Sequence, residues 1–258
     1  MPETNPGTVT DPHCTGFFGE KFDFMGDDGK YYCMLSTGTL QINSRMKAVT
    51  KSDFTFIDEI GVTIGSQETG LTHIKMGLDI ESDGQSIALL DKHTITRNPI
   101  YFSTGLKSKD GNVVMGSVHL ETETLYVNAG SCIIKICRVT QDEEMGDIPH
   151  LDMHLEVLPL GMLSDGVMPH GVLGQTVDKD RVKPKGLLGK GIHEGVYRLH
   201  EADCDAFMKQ GFRVVEGNYK DYEVSGPFAQ DFPHNRFGTK PTVLPVYGKC
   251  STLGLFCG

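Results

Sequence analysis

The chain has 258 residues, with 24 Lys or Arg against 34 Asp or Glu, so its formal charge is −10. This acidic balance argues against nucleic acid and anionic membrane surfaces as main partners, because both are negatively charged themselves. The length is sufficient for a sizeable hydrophobic core, and no apolar run approaches the roughly 20 residues that a membrane-spanning helix needs.

The first half of the chain predicts β-strands. Residues 1–9 are expected to be a flexible leader, and residues 22–24 and 31–35 flank a Gly-Asp-Asp-Gly turn, which predicts a hairpin. Apolar and polar residues then alternate with a period of two, as they do in half-buried strands. On this pattern the following strands lie at 39–43, 55–65, 73–80 and 87–90.

The second half continues the pattern and then becomes irregular. Residues 113–139 predict three strands, broken near 121–123 and 128–130, and residues 150–157 predict a strand with one apolar face. A glycine-rich stretch at 161–191 indicates loops. A short helix is predicted at 201–210, stopped by Gly211, and a last hairpin at 213–217 and 219–224.

These elements together predict an all-β fold: a layered antiparallel β-sandwich-like domain with one short C-terminal helix. The domain is expected to span residues 10–237. An irregular, cysteine-containing tail follows at 238–258.

The seven cysteines leave two interpretations open. Cys132 and Cys137, if they share one strand, point to opposite faces and cannot bridge each other. Cys250 and Cys257 flank a loop-like segment in which a disulfide is feasible. The chain therefore carries either buried free thiols or a few disulfides in a secreted protein with one thiol left over.

Three patches of sequence resemble a known family. Residues 10–26, reading TDPHCTGFFGEKFDFMG, resemble the opening of von Willebrand factor type D domains and, more closely, of the plant root-cap protein family. Residues 169–176 (PHGVLGQT) are similar to that family's His-Gly-x-x-Gly-Gln core, and residues 216–225 (EGNYKDYEVS) to its closing strand. The resemblance implies an extracellular, β-rich domain of secreted, wall-associated or adhesive proteins, a family not known for catalysis.

The same patches supply a predicted structural motif. Pro12 suits the start of a strand, because its ring fixes φ and removes a donor, and Asp11 can accept backbone N–H groups in a turn. His13 is then expected to be a buried anchor between the opening strand and the loop at His170. The full predicted motif consists of Asp11, Pro12, His13, His170, Gly171, Gly174 and Gln175.

The sequence offers two candidate metal sites. The resemblance to type D domains implies calcium, for which Asp178 and Asp180 offer oxygen ligands, although Phe18 stands where those domains carry Asp. His150, Asp152 and His154 alternate along one strand and therefore share a face. They could hold Zn²⁺ or Cu²⁺ if another element closed the site, and the alternative is a solvated strand face.

Aromatic side chains suggest a third kind of site, because exposed rings can stack on sugars. The candidates are Tyr31, Tyr32, Tyr101, Tyr219 and Tyr222, with ordinary strand packing as the alternative.

The sequence therefore favours a secreted, non-catalytic protein with a structural or adhesive role in a cell wall, surface coat or extracellular matrix. Its expected partners are other extracellular proteins or polysaccharide, with a homo-oligomer also open. The N-terminal residues lack a signal peptide, so this location implies that one has been removed. The alternatives are a carbohydrate- or calcium-binding module of the same fold and a metal-dependent enzyme using the His-x-Asp-x-His strand.

Overall fold

The computed structural model of the protein describes residues 7–9, 13–17, 21–49, 55–79, 85–108, 110–140, 148–157, 167, 169–177, 182–184, 212–214 and 219–238. Within these residues the strands are β1 (Gly7–Val9), β2 (His13–Thr15), β3 (Lys21–Asp23), β4 (Tyr31–Ser36), β5 (Leu40–Ala48), β6 (Thr55–Ser66), β7 (Gly70–Asp79), β8 (Gln85–Leu90), β9 (His93–Thr94), β10 (Ile100–Lys107), β11 (Val113–Glu121), β12 (Thr124–Asn128), β13 (Cys132–Val139), β14 (His150–Val157), β15 (Val182–Pro184), β16 (Phe212–Val214) and β17 (Glu223–Val224).

The strands form two large antiparallel sheets. The eight-stranded sheet has the order β10-β11-β12-β13-β14-β1-β2-β3, and the seven-stranded sheet has the order β17-β4-β5-β6-β7-β8-β9. Strands β6 and β7 contact β10 and β14 across the gap between the sheets, and apolar side chains from both sheets fill one core. The predicted all-β, sandwich-like fold is confirmed.

Alternation explains the eight-stranded sheet well. Along β13, Cys132, Ile134 and Ile136 are buried, whereas the residues between them are partly exposed, as a two-residue period requires. The predicted division of 113–139 into three strands is confirmed, with breaks at the expected places. Because Cys132 and Cys137 lie on one strand with different burial, they face opposite sides, as predicted.

The seven-stranded sheet departs from simple alternation. Every residue of β6 from Thr55 to Gly65 is buried, and in β5 the polar Gln41, Asn43 and Ser44 are as buried as their apolar neighbours. A strand with both sides buried must be covered on both faces. The second cover comes from the C-terminal part of the chain.

Both predicted hairpins are wrong. β3 pairs with β2 in one sheet, whereas β4 pairs with β5 in the other, so the turn at 26–29 carries the chain between sheets. Near the C-terminus, β16 pairs with β15, and residues 219–224 form a 3₁₀ turn, Tyr219–Tyr222, followed by β17. Turn residues in the sequence therefore did not specify which strand lies alongside which.

The remaining sequence expectations concern the two ends of the chain and membrane-spanning helices. Residues 7–9, expected in a flexible leader, form β1 and pair with β14 and β2. The predicted helix at 201–210 and the tail beyond residue 238 lie outside the described residues. Among the residues that are described, no helix is both long and apolar enough to cross a membrane.

Candidate binding surfaces

Residues 225–238, named here the C-terminal strap, cover the outer face of the seven-stranded sheet. The buried amide of Asn43 donates from Nδ2 to the carbonyl oxygens of Gly226, Pro227 and Ala229, at 3.2, 3.2 and 2.9 Å. Gln41 donates from Nε2 to the same Ala229 carbonyl. Buried amides need hydrogen-bond partners, so these two side chains tie the strap to β5.

A glycine makes room for the strap on the neighbouring strand. Gly61 of β6 lies opposite Asn43, and a Cβ atom placed on Gly61 would collide with the backbone and ring of Pro227. The strap therefore lies directly on the sheet because one strand offers amide donors and the next offers no side chain. Farther along, the rings of Phe228 and His73 lie 4.7 Å apart.

Ser36, His170, Asn235 and Arg236 form a second attachment, the edge clamp. Ser36 and His170 exchange backbone hydrogen bonds of 2.7 and 2.9 Å, so the 170–173 segment continues the ladder along the edge of β4. The Ser36 hydroxyl donates to Asn235 Oδ1 at 3.1 Å and accepts from the Arg236 N–H at 2.8 Å. The Arg236 guanidinium donates to His170 Nε2 at 2.9 Å. These polar groups therefore bind the strap to the sheet edge.

The predicted structural motif falls partly in this clamp. Gly171 has φ of +101°, and a Cβ there would strike the backbone of Met34 and Leu35, so glycine is required. Gly174 and Gln175 begin a 3₁₀ turn, Gly174–Val177. The backbone N–H of Phe17 donates to Thr176 Oγ1 at 3.0 Å, so Phe17 contacts this turn.

The predicted anchor role of His13 remains a prediction. His13 pairs with Val9 and Asp23 in the eight-stranded sheet, and its side chain, like Asp11 and Pro12, lies outside the described part of the chain. The described imidazole contacts of His170 include the Arg236 guanidinium and the ring of His234, whose centroid lies 5.9 Å away. The sequence predicts no individual role for Arg236, although the segment NRF at 235–237 follows the third patch of the family resemblance.

A charged cluster lies on the same outer face, where β4, β5 and β6 meet. Arg45 makes a two-point ion pair with the buried Asp58, Nε to Oδ1 at 2.8 Å and Nη2 to Oδ2 at 2.9 Å. Tyr31 donates its hydroxyl to Glu59 at 2.6 Å, and Lys75 Nζ lies 3.2 Å from the other Glu59 oxygen. A β-bulge lets Asp58 and Glu59 both approach Arg45, because the register slips by one residue between Arg45 and Met46.

The charged cluster shifts the pKa of two of its residues, Tyr31 and Arg45. Burial raises the pKa of the Tyr31 phenol, and the hydrogen bond to Glu59 raises it further. The hydrogen bonds to Asp58 raise the pKa of Arg45, outweighing the opposing effect of burial. Both groups therefore keep their protons well into the alkaline range.

Beside the cluster is an open, polar groove of about 690 Å³. Lys30 and Glu223 form an ion pair of 2.8 Å on its wall. A hydrogen bond from the Ala48 N–H holds the pKa of Asp28 below its usual value. Burial raises the pKa of Asp231, but hydrogen bonds from Ser225 outweigh that effect and keep it low. The groove is lined by Asp28, Gly29, Lys30, Tyr31, Lys220, Glu223, Val224, Ser225 and Asp231.

The His-x-Asp-x-His strand is β14, and its first two polar residues are not solvated. His150 and Asp152 are buried, and His150 Nε2 lies 3.6 Å from Asp152 Oδ1, while Nδ1 contacts the Ile148 carbonyl at 3.0 Å. His154 is half-buried. The described residues contain no set of three His, Cys, Asp or Glu side chains placed to hold a metal ion. Asp178 and Asp180 lie outside them.

Among the described residues, the outer face of the eight-stranded sheet exposes side chains around β10 to β12. His119 and Tyr126 are cross-strand partners with nearly parallel rings, 5.2 Å apart and inclined by 8°. Tyr101 is 69% exposed and Met115 is 55% exposed. Tyr101, one of the tyrosines predicted to stack on sugars, therefore has its ring accessible to a ligand.

The other tyrosine candidates differ in position. Tyr31 is half-buried at the groove, and the side chain of Tyr219 is outside the described set. Tyr32 and Tyr222 are fully buried and unsuited to stacking on a sugar. They pack against Phe24 and Phe232 instead, at ring separations of 5.1 and 6.2 Å.

The described cysteines are not in disulfides. Cys14, Cys33 and Cys132 are buried thiols and Cys137 is half-buried. Burial raises the pKa of Cys132 to about 12 and that of Cys33 well above its usual range, so both stay protonated and unreactive. The predicted pair Cys250 and Cys257 lies outside the described residues.

A scan against protein-family models and a search of curated proteins each return no match to this chain.

We expect Gly61→Ala to destabilise the protein by about 1–3 kcal/mol, because the new methyl group must push Pro227 and the strap away from the sheet. The measurement is the free energy of unfolding in urea. Gly226→Ala is the matched control, since a Cβ at Gly226 meets nothing within 4 Å. Equal stability of the two variants would show that the strap does not press on β6.

The Tyr31 cluster predicts a specific alkaline sensitivity. Because the folded-state pKa of Tyr31 lies above the ordinary 10.0, its stabilising contribution is complete below pH 10 and is lost as the pH rises through the folded value. Tyr31→Phe should therefore lower stability at neutral pH and flatten the decline above pH 10. Unfolding free energies across this range measure both effects, and an unchanged alkaline slope would contradict the prediction.

Proposed function

We propose that this chain is a non-catalytic β-sandwich module with a structural or adhesive role outside the cell, in a wall, surface coat or matrix. One observation carries the proposal: the outer face of one sheet is covered, whereas the outer face of the other exposes large apolar side chains. The seven-stranded sheet is covered by the chain's own strap, whereas the eight-stranded sheet exposes Tyr101 and Met115 on its outer face. Such a surface suits contact with another macromolecule.

The polar side chains of the closed face support the same interpretation. The strap is held by hydrogen bonds from Asn43, Ser36 and Arg236, and Arg45 donates its hydrogen bonds to Asp58. These bonds fix one arrangement of the chain and provide a rigid support for the opposite sheet. The family resemblance of residues 10–26, 169–176 and 216–225 agrees with a secreted or wall-associated setting.

A second candidate function is carbohydrate binding by the same open face. Parallel aromatic and imidazole rings on a strand surface, here His119 and Tyr126, present flat apolar area beside polar atoms. Lys135 and Glu156 lie close by, joined by an ion pair of 3.1 Å, and offer charged hydrogen-bonding groups. Tyr101 lies two strands from Tyr126 and two residues along, a separation of about 12 Å at ordinary strand spacing. Rings placed in this way could contact different sugars of one chain.

The test is retention of the purified protein on insoluble cellulose, xylan and chitin and on immobilised matrix protein. If the open face is the contact surface, Tyr126→Ala should weaken retention about tenfold, the typical effect of losing one stacking ring. The control is Ile87→Ala, which removes a side chain that is 45% exposed on the other sheet. Binding only to matrix protein favours adhesion, and binding to a polysaccharide favours the second candidate.

No retention on any of these surfaces, or equal loss in both variants, would contradict a binding role for this face. A calcium titration of the same protein, monitored by calorimetry, tests the calcium alternative separately. Heat release that is unaffected by Tyr126→Ala would place calcium elsewhere in the chain.

A further inference from the structure

The ends of the two large sheets are unequal in a way that points to self-association. Three of the four terminal strands described are very short: β3 has three residues, and β9 and β17 have two each. Short edge strands are a common protection against unwanted pairing. The fourth, β10 at Ile100–Lys107, has eight residues and ends the eight-stranded sheet.

The composition of β10 favours pairing with another strand. Its sequence, IYFSTGLK, is rich in aromatic and β-branched residues and contains no carboxylate, in a chain whose net charge is −10. Two copies of an acidic protein repel each other least where acidic side chains are missing. An edge without carboxylates is therefore a favourable place for two copies to meet.

The first half of β10 has the regular geometry that pairing with another strand requires. Phe102, Thr104 and Leu106 point into the core, so a neighbouring strand could be added without repacking them. The register with β11 is regular from Ile100 to Ser103 and shifts only beyond it, which leaves one regular stretch for a new ladder. Tyr101 within this stretch, and Met115 and Val113 on the neighbouring β11, expose apolar surface at 69%, 55% and 46%.

We propose that two copies of this chain pair through β10, antiparallel and around a two-fold axis, so that their eight-stranded sheets join into one continuous sheet. An antiparallel pair of identical strands is self-complementary, which is the geometry of a closed dimer. Backbone hydrogen bonds hold the seam. The exposed side chains of Tyr101 and Met115 extend an apolar strip across it on the outer face.

The first experiment needs no variant. Sedimentation velocity of the wild-type chain, over concentrations from about 1 μM to about 1 mM, should show a reversible monomer–dimer equilibrium. Hydrogen exchange at both ends of the range should show slower exchange of amides in 100–103 in the dimer. A single monomeric species throughout, or a dimer that leaves these amides unprotected, would overturn the proposal.

The second experiment places the contact. Tyr101→Glu combined with Ser103→Glu sets four carboxylates at the seam of a dimer and should raise the dissociation constant at least about tenfold. Leu71→Glu combined with Ile87→Glu is the control, since it adds the same charge at residues of the other sheet that are 42% and 45% exposed. Circular dichroism confirms that both variants fold. Equal weakening by the two variants would show a general effect of charge and would refute a seam at β10.

Discussion

Two buried amide side chains, Gln41 and Asn43, decide which face of this sandwich is closed. An amide removed from water costs free energy unless its donors and acceptors find partners. Here the donors are used by carbonyl groups of the C-terminal strap, so the strap must lie on β5 for the sheet to be stable. The glycine at position 61 then lets the strap approach closely enough to make those bonds.

The rest of the architecture follows from that closure. The edge clamp fixes the strap at the far end of β4. The 170–173 segment pairs along an edge that β17 covers only at Tyr31 and Tyr32. The chain's own backbone thus hydrogen-bonds along the β4 edge of the seven-stranded sheet. In the part of the chain that the structure describes, the other sheet exposes Tyr101 on its outer face and ends in the long strand β10, and these two features carry the proposed binding and self-association.

The sequence predicts the strands better than it predicts their partners. Alternation identified β11, β12 and β13 because each has one face in the core and one outside it. The sequence predicts a hairpin around the turn at 26–29, and this prediction is wrong because turn residues encode a change of direction and carry no information about a change of sheet. The closing hairpin was wrong for the same reason.

The candidate surfaces were only partly predictable. Gln41 and Asn43 alternate with apolar residues, which is also the pattern of a solvated strand face, so nothing local reveals the strap above them. The same ambiguity made a solvated face the alternative for His150 and Asp152, which the fold buries. His170 and Gly171 were singled out through the family resemblance, whereas the partner Arg236 lies 66 residues away from His170 and could be identified only in three dimensions.

Native-state hydrogen exchange tests the closure of the seven-stranded sheet most directly. If the strap and clamp belong to the folded core, the amides of Arg236 and Gly238, which donate to Ser36 Oγ and to the Gly38 carbonyl, should exchange through the same opening as those of β6. Their opening free energies should then match. Exchange of these two amides at the rate of an exposed loop, while β6 stays protected, would show that the strap is not part of the core and would contradict the account.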